Sequence, residues 1–290
     1  MSEIPMLDAG PDQPLRDAVR AYLRNGTAVF GLALLLVVLC LTLIGPHIYG
    51  RDPFEIVAGP YDPPGTDGLP LGSDYLGRDV LADILNGGRT TLAVGLVAAL
   101  IAVFIGVPVG ALGGYYRGWL DSALMRFTEF FQVLPSLLFA MVLVALFKPS
   151  LTTITIAIGL VNWTGTARLA RGEFLRLRGM DFVRASRAAG ATDARIIWRV
   201  ILPNALPTLI VSATLSVGVA ILFEGGLSFL GLGDPDAMTW GVMIGSNRNA
   251  ILTAWWAATV PGLAMFLTVL SLTLIGDGLN DALNPRLRER

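Results

Sequence analysis

Long apolar runs separated by short charged stretches set the pattern of this chain. A membrane-crossing helix needs about 20 mostly apolar residues. The first such run covers residues 27–46 (TAVFGLALLLVVLCLTLIGP) and follows Arg16, Arg20 and Arg24. It is longer than the apolar region of a signal peptide, and no small-residue cleavage pattern follows it. It therefore reads as an uncleaved first helix. Further runs lie at 90–115, 127–147, 151–167, 207–224 and 251–275. The run at 151–167 is shorter and more polar, carrying Thr152, Thr153, Thr155, Asn162 and Thr164. The pattern predicts an all-α integral membrane protein with six crossings and both termini on one side.

The stretches between the runs have their own signatures. Residues 47–88 hold Pro53, Pro60, Pro63, Pro64 and Pro70, too many for a span, and predict an irregular or partly extended excursion. Gly106, Gly110, Gly113 and Gly114 in the second run point to close helix packing. Arg126 and Glu129, three apart at the start of the third run, are expected to pair. The chain thus divides into a segment 1–26, a first helix 27–46, a segment 47–88, a core 89–276 with an internal loop 168–206, and a tail 277–290.

Composition strengthens the membrane reading. Hydrophobic residues make up 54% of the 290 and charged ones 15%, against about 25% charged in an ordinary soluble domain. Mean hydropathy is +0.65 and the net charge is −1. A soluble chain this apolar and this neutral would precipitate.

Scarcity excludes several chemistries. The single cysteine, Cys40, allows no intrachain disulfide and no cysteine-based zinc site. The single histidine, His47, allows no HExxH motif and no multi-histidine metal site. Ser246 follows a glycine, but that histidine lies outside the apolar runs, which argues against an intramembrane serine hydrolase. The single lysine, Lys148, sits between Phe147 and Pro149, so there is no Gly-Lys-Ser/Thr phosphate loop. Any ATP that drives this chain binds on another subunit. A stand-alone channel or secondary transporter would usually carry buried acids in several spans, and Glu224 is nearly alone.

Charge placement orients the chain. With both termini in the cytoplasm, sixteen of the 21 basic residues fall inside. Arg51, Arg78, Arg89, Lys148 and Arg248 fall outside. Positive-inside bias favours that orientation. Half of the inside set lies between Arg168 and Arg199.

This loop predicts helix, glycine bend, helix. Residues 181–189 form a short amphipathic helix with a small-residue face, and Gly190 stands where a left-handed C-cap would fall. Thr192 or Asp193 would cap a second helix over 194–202, which Pro203 would stop, and Pro207 would start the next span. An exposed small-residue helix fits a groove on a partner. An amphipathic hairpin lying on anionic lipid would read the same way.

The residues Arg184-Ala185-Ser186-Arg187-Ala188-Ala189-Gly190, followed by Ile201-Leu202-Pro203, resemble the EAA loop of ABC-importer permeases. Arg184 stands at that pattern's glutamate and Ser186 at its second alanine. Residues 71–80 (LGSDYLGRDV), 227–233 (LSFLGLG), 261–268 (PGLAMFLT) and 276–285 (GDGLNDALNP) also resemble dipeptide and oligopeptide permeases. The closest group is the shorter, C-type permease of dipeptide, oligopeptide and nickel ABC importers.

The resemblance implies a type I ABC-importer permease in the bacterial inner membrane, with no chemistry of its own. It implies a second, homologous permease, two cytoplasmic ATPases carrying ATP and Mg, and an extracytoplasmic binding protein that delivers di- or oligopeptides. Nickel chelates, glutathione and other small solutes are substrates of related systems. It implies an ATPase-coupling loop comprising Asp181, Phe182, Arg184, Ala185, Ala188, Ala189, Gly190, Ala191, Asp193, Leu202 and Pro203.

Three further groups have two readings each. Glu224, before Gly225 and Gly226, either lines the translocation path or meets backbone amides at a helix break. Asn162 and Trp163 either line the path or join neighbouring helices. Asp74 and Arg78 either contact the binding protein or, with Asp79, organise the start of a helix.

Overall fold

The structure, a computed structural model, describes residues 14–66 and 68–283. The basic tail residues Arg286, Arg288 and Arg290, and the first half of the 1–26 segment, lie outside the described residues. Helices dominate, and two isolated bridges, Ile56 to Arg78 and Ser73 to Asp79, are the extended pairings among the described residues.

After α1 (Pro14–Arg24), α2 (Gly26–Leu43) begins on an Asn25 cap, whose Oδ1 accepts from the Thr27 and Ala28 amides at 3.1 and 3.2 Å. A short α3 (Gly45–Tyr49) ends the first run. α4 (Val80–Tyr116) starts ten residues before the apolar run suggests, because Asp79 caps it through Leu81 N–H at 2.9 Å. Its 37 residues make a rod of about 55 Å.

α4 lies against α7 (Leu151–Arg178) along the glycine stripe. A β-carbon on Gly106, Gly110 or Gly114 would come within 2.6, 2.2 and 2.6 Å of the carbonyl oxygens of Trp163, Ala167 and Arg171. Gly113 faces elsewhere, toward Asp121. Backbones this close gain dispersion that larger side chains would prevent.

Three expectations change. The run at 127–147 is not one helix: α5 (Gly118–Val133) and α6 (Ser136–Phe147) meet at 82°. Pro135 forces Leu134 into extended backbone (ψ 129°), which ends α5. Among the described residues, four helices are long and apolar enough to cross a membrane, or five if the bent pair is one span, so the expected six crossings are not reached by that measure. α7 is long enough, but its threonines, Asn162 and arginines keep it too polar. Finally, Pro203 does not stop a helix and Pro207 does not start one. α9 (Asp193–Arg195) runs through a π turn, Ile196–Ile201, into α10 (Leu202–Leu227), and Pro207 lies inside α10. Leu202 N–H bonds to Ile197 C=O in the wide π pattern, just where Pro203 lacks a donor and its ring would crowd an α turn.

α10 ends in a second π turn, Ser228–Leu232, and a turn at Gly231 (φ +85°). The chain then folds back as α11 (Trp240–Asn247) before α12 (Trp255–Leu283), which packs on α2 and α10. Hydropathy did not reveal α11, because eight residues holding Gly241, Gly245, Ser246 and Asn247 show neither a span nor a clear helical period. Thr239 caps it through Val242 N–H at 3.0 Å, and Trp240 and Met243 enter the core beside Trp256, Met265 and Ile221.

Candidate coupling site and candidate pathway residues

The α7–α10 connection builds one exposed helix. α8 (Asp181–Ala188) is held by Val183, which is buried with Phe174, Ile196 and Ile201. Phe182, Arg184, Ala185, Ala188 and Ala189 face outward, as does Gly190. The helix ends in a Schellman turn: Gly190 N–H bonds to Arg187 C=O at 3.0 Å and Ala191 N–H to Ser186 C=O at 3.1 Å. Gly190 has φ +81° and open space around it, so the requirement there is conformational. Thr192 accepts from Arg195 N–H at 3.4 Å, and Asp193 begins α9. Leu202 is half-buried and Pro203 is exposed. Asp181 and Arg184 pair at 3.5 Å in open solvent, where an ion pair contributes little.

The candidate pathway residues sit inside the subunit. Glu224 is 1% exposed. It accepts hydrogen bonds from the Ser228 and Thr239 hydroxyls at 2.8 and 2.7 Å, and from no backbone amide among the described residues. A β-carbon on Gly241 would lie 2.8 Å from both carboxylate oxygens, so Glu224 joins α10 to α11 where only glycine fits. Trp163 is 3% exposed and lies among Phe127, Phe131 and Ala167. Asn162, one residue earlier, is half-buried with a buried Nδ2 that has no hydrogen-bond partner among the described residues. No ion pair joins Arg126 to Glu129 among the described residues. Arg171 instead grips Asp121 with two bonds, at 2.5 and 2.7 Å, tying α7 to α5.

Asp74 and Arg78 belong to the segment before α4. Asp74 is buried and accepts from the Leu76 and Arg78 amides, both at 2.8 Å, which closes its own loop. Burial pushes its carboxyl above the ordinary carboxylate range, against those amides and the Arg78 charge. Arg78 stacks on Phe54. Both line a cavity of about 240 Å³ together with Asp83, Asp234 and Arg248. Asp79 is fully engaged: it caps α4 and accepts from Tyr49 Oη at 2.6 Å and Arg51 Nη1 at 2.7 Å.

Sequence reasoning missed two side chains that the fold makes central. Tyr115 at the end of α4 bonds to Asp193 and Arg187 of the exposed connection. Asn247 of α11 accepts from Tyr75 N–H at 3.1 Å, linking two segments 172 residues apart. No local pattern marks either, because both partners are distant in sequence.

Residues 106–289 match the model of the family described as binding-protein-dependent transport system inner membrane component. The chain belongs to that family. Residues 13–69 of the permease match a second model, the N-terminal transmembrane domain of oligopeptide transport permease C. A di/tripeptide transport system permease protein DppC of Pseudomonas aeruginosa is 37% identical to it, covering 95% of this chain and 93% of that one. A dipeptide transport system permease protein DppC of Bacillus subtilis is 39% identical, covering 94% and 86%. A glutathione transport system permease protein GsiD of Pectobacterium atrosepticum is 38% identical, covering 75% and 73%. Among solved structures, an inward-facing MetNI methionine ABC transporter chain superposes with a TM-score of 0.60 at 20% identity, covering 70% of this chain and 96% of that one. The permease therefore has the type I importer fold.

Proposed function

We propose that this permease is the C-type membrane subunit of an ATP-driven importer of di- and oligopeptides. It forms half of a pathway completed by a second, homologous permease. Two ATPases, carrying ATP and Mg, dock on α8 and its flanks, and an extracytoplasmic binding protein delivers the peptide from the opposite side. The termini are cytoplasmic and the bundle crosses the inner membrane six times, with α7 as a polar crossing shielded by α4 and by the partner permease.

The observation that carries this reading is α8. It is a short exposed helix of small residues, closed by a Schellman turn and seated on one buried valine, at the end of α4 away from the proline-rich segment. Small side chains allow a partner groove close approach. The peptide relatives support the substrate, and the glutathione relative supports a second reading that is chemically close, since glutathione is itself a tripeptide.

Co-expression with the candidate partner subunits tests the assembly. Purification through a tag on this chain should recover a second permease and two ATPases, and deletion of 185–190 should release the ATPases while the permease pair persists. Proteoliposomes supplied with binding protein should take up labelled dipeptide only with ATP inside the ATPase compartment. Normal transport by the deletion variant, or transport by this chain alone without ATP, would refute the assignment. Competition by excess glutathione against excess dipeptide ranks the two substrates.

A further inference from the structure

One buried ring at the end of α4 gathers the whole α8 connection. Tyr115 is almost fully buried. Its hydroxyl donates to Asp193 Oδ1 at 2.5 Å and accepts from Arg187 Nη2 at 3.2 Å. The guanidinium groups of Arg178 and Arg187 lie over its ring, at 5.6 and 5.8 Å from the centroid. Arg178 ends α7, Arg187 is in the last turn of α8, and Asp193 opens α9. Three successive elements of the connection therefore converge on one side chain of α4. Among the described residues, these are the side-chain hydrogen bonds that join α8 or its flanks to α4.

The physical role follows from what the other contacts cannot do. Eight residues do not make a stable helix alone, so the attitude of α8 is set by what it touches. Val183 and the Ile196, Ile197 and Ile201 cluster hold it by apolar burial. Burial is non-directional, so it resists detachment more than sliding or rotation. Hydrogen bonds to charged groups are directional and stronger than neutral ones. The far side of Tyr115 is rigid, since the glycine stripe Gly106, Gly110 and Gly114 locks the last third of α4, next to Tyr115, against α7.

We propose that Tyr115 is a positioning residue that keys α8 to α4, so that a displacement of α8 by an ATP-driven partner moves the transmembrane bundle. This rests on the reading of α8 as the ATPase contact. Tyr115 transmits the stroke through its hydroxyl, and Asp193 and Arg187 are the two hands on it. Without the hydroxyl, α8 stays seated and the partner still binds, but part of its movement is lost as sliding.

The test uses the complete assembly in proteoliposomes, with binding protein and labelled dipeptide, and compares uptake per ATP hydrolysed. Tyr115→Phe keeps the ring, its burial and its stacked arginines. Subunit recovery and ATPase rate without binding protein should match the unaltered complex, while peptide moved per ATP falls about tenfold, as expected for a lost charged hydrogen bond. Asp193→Ala should fall as far, Asp193→Asn should fall less because a neutral acceptor oxygen remains, and the Tyr115→Phe/Asp193→Ala double variant should be no worse than either alone. An unchanged yield in Tyr115→Phe, or additive losses in the double variant, overturns the proposal. Should Tyr115→Phe fail to assemble, the Asp193 pair decides: equal yields for Ala and Asn also overturn it. Failure of the unaltered complex to bind ATPases would instead refute the assembly reading, leaving the two outcomes distinct.

Discussion

The two ends of α4 are built by opposite means. At its start, the described residues of 50–66 and 68–79 form no helix and are stitched together by specific bonds. Ser73 accepts from the Asp62 amide and donates to Gly59 C=O, both at 2.7 Å, and Trp256 Nε1 reaches Ser73 C=O at 3.1 Å. Asp79 is buried beneath Tyr49 and Arg51. At its other end, α8 is an amphipathic helix tied to α4 through Arg187, while its other outward side chains bond to little and its turn is closed by backbone alone. The first end spends its polar groups on itself. The second leaves its surface unspent, as a docking element requires. Substitutions should therefore cost stability at the first end and coupling at the second.

The largest expected effect is at Asp79. Asp79→Ala removes a helix cap and leaves Tyr49 and Arg51 without their acceptor. A cap contributes about 1 kcal/mol, and breaking a largely buried charge pair adds more, discounted here because Arg51 is about a third exposed. Thermal unfolding of the detergent-purified protein should show a loss of about 3 kcal/mol. Gly77→Ala should come next. Gly77 has φ +81° and a β-carbon there would meet the Ala58 carbonyl at 2.1 Å, so strain and overlap add to about 2–3 kcal/mol.

Gly190→Ala sharpens the contrast. The same φ of +81° applies, but nothing lies within 4 Å, so the loss should be only about 1 kcal/mol of conformational strain. ATPase co-purification should fall more than the unfolding temperature does. If Gly190→Ala destabilises as much as Gly77→Ala, the two ends are not built differently.

A pH series gives a smaller effect with a definite sign. Burial raises the folded-state pKa of Asp74 above its ordinary 3.8, so the folded chain holds that proton more tightly than the unfolded one. Its contribution is present below that value and is lost as pH climbs through the raised folded value. Asp74→Asn keeps an acceptor for the two amides and should flatten the stability profile on the alkaline side of that ordinary value, as read by thermal unfolding across a pH series. The smallest effect is expected at Arg184→Ala, where the exposed partner Asp181 offers nothing to lose, and unfolding should be unchanged within error. A measurable drop would mean that the outward face of α8 is engaged within the subunit.

Much of this was legible in one dimension because its physics is local. The apolar runs, the proline-rich excursion, the Asp79 cap and the glycine bend at 190 each depend on residues a few positions apart. The bent third run was legible in principle at Pro135, but hydropathy alone bridged it, since Leu134 and the residues around it are apolar on both sides of the kink. The fate of Pro203 was not legible, because a proline reads as a stop unless a π turn just before it accommodates the missing donor.

The sequence by itself determined the class of the protein, the apolar segments, the bias of its charges and the identity of the exposed α8 helix. These follow from summed hydropathy and from short-range capping and turn rules, and neither requires a partner in space. The tertiary structure alone decided that Glu224 serves Ser228 and Thr239, that α11 folds back into the core, and that Tyr115 meets Asp193 across 78 residues of chain. Those outcomes depend on which buried polar groups find each other once the helices have packed. A buried group must find such a partner or be costly to bury, and the identity of that partner is set by the fold.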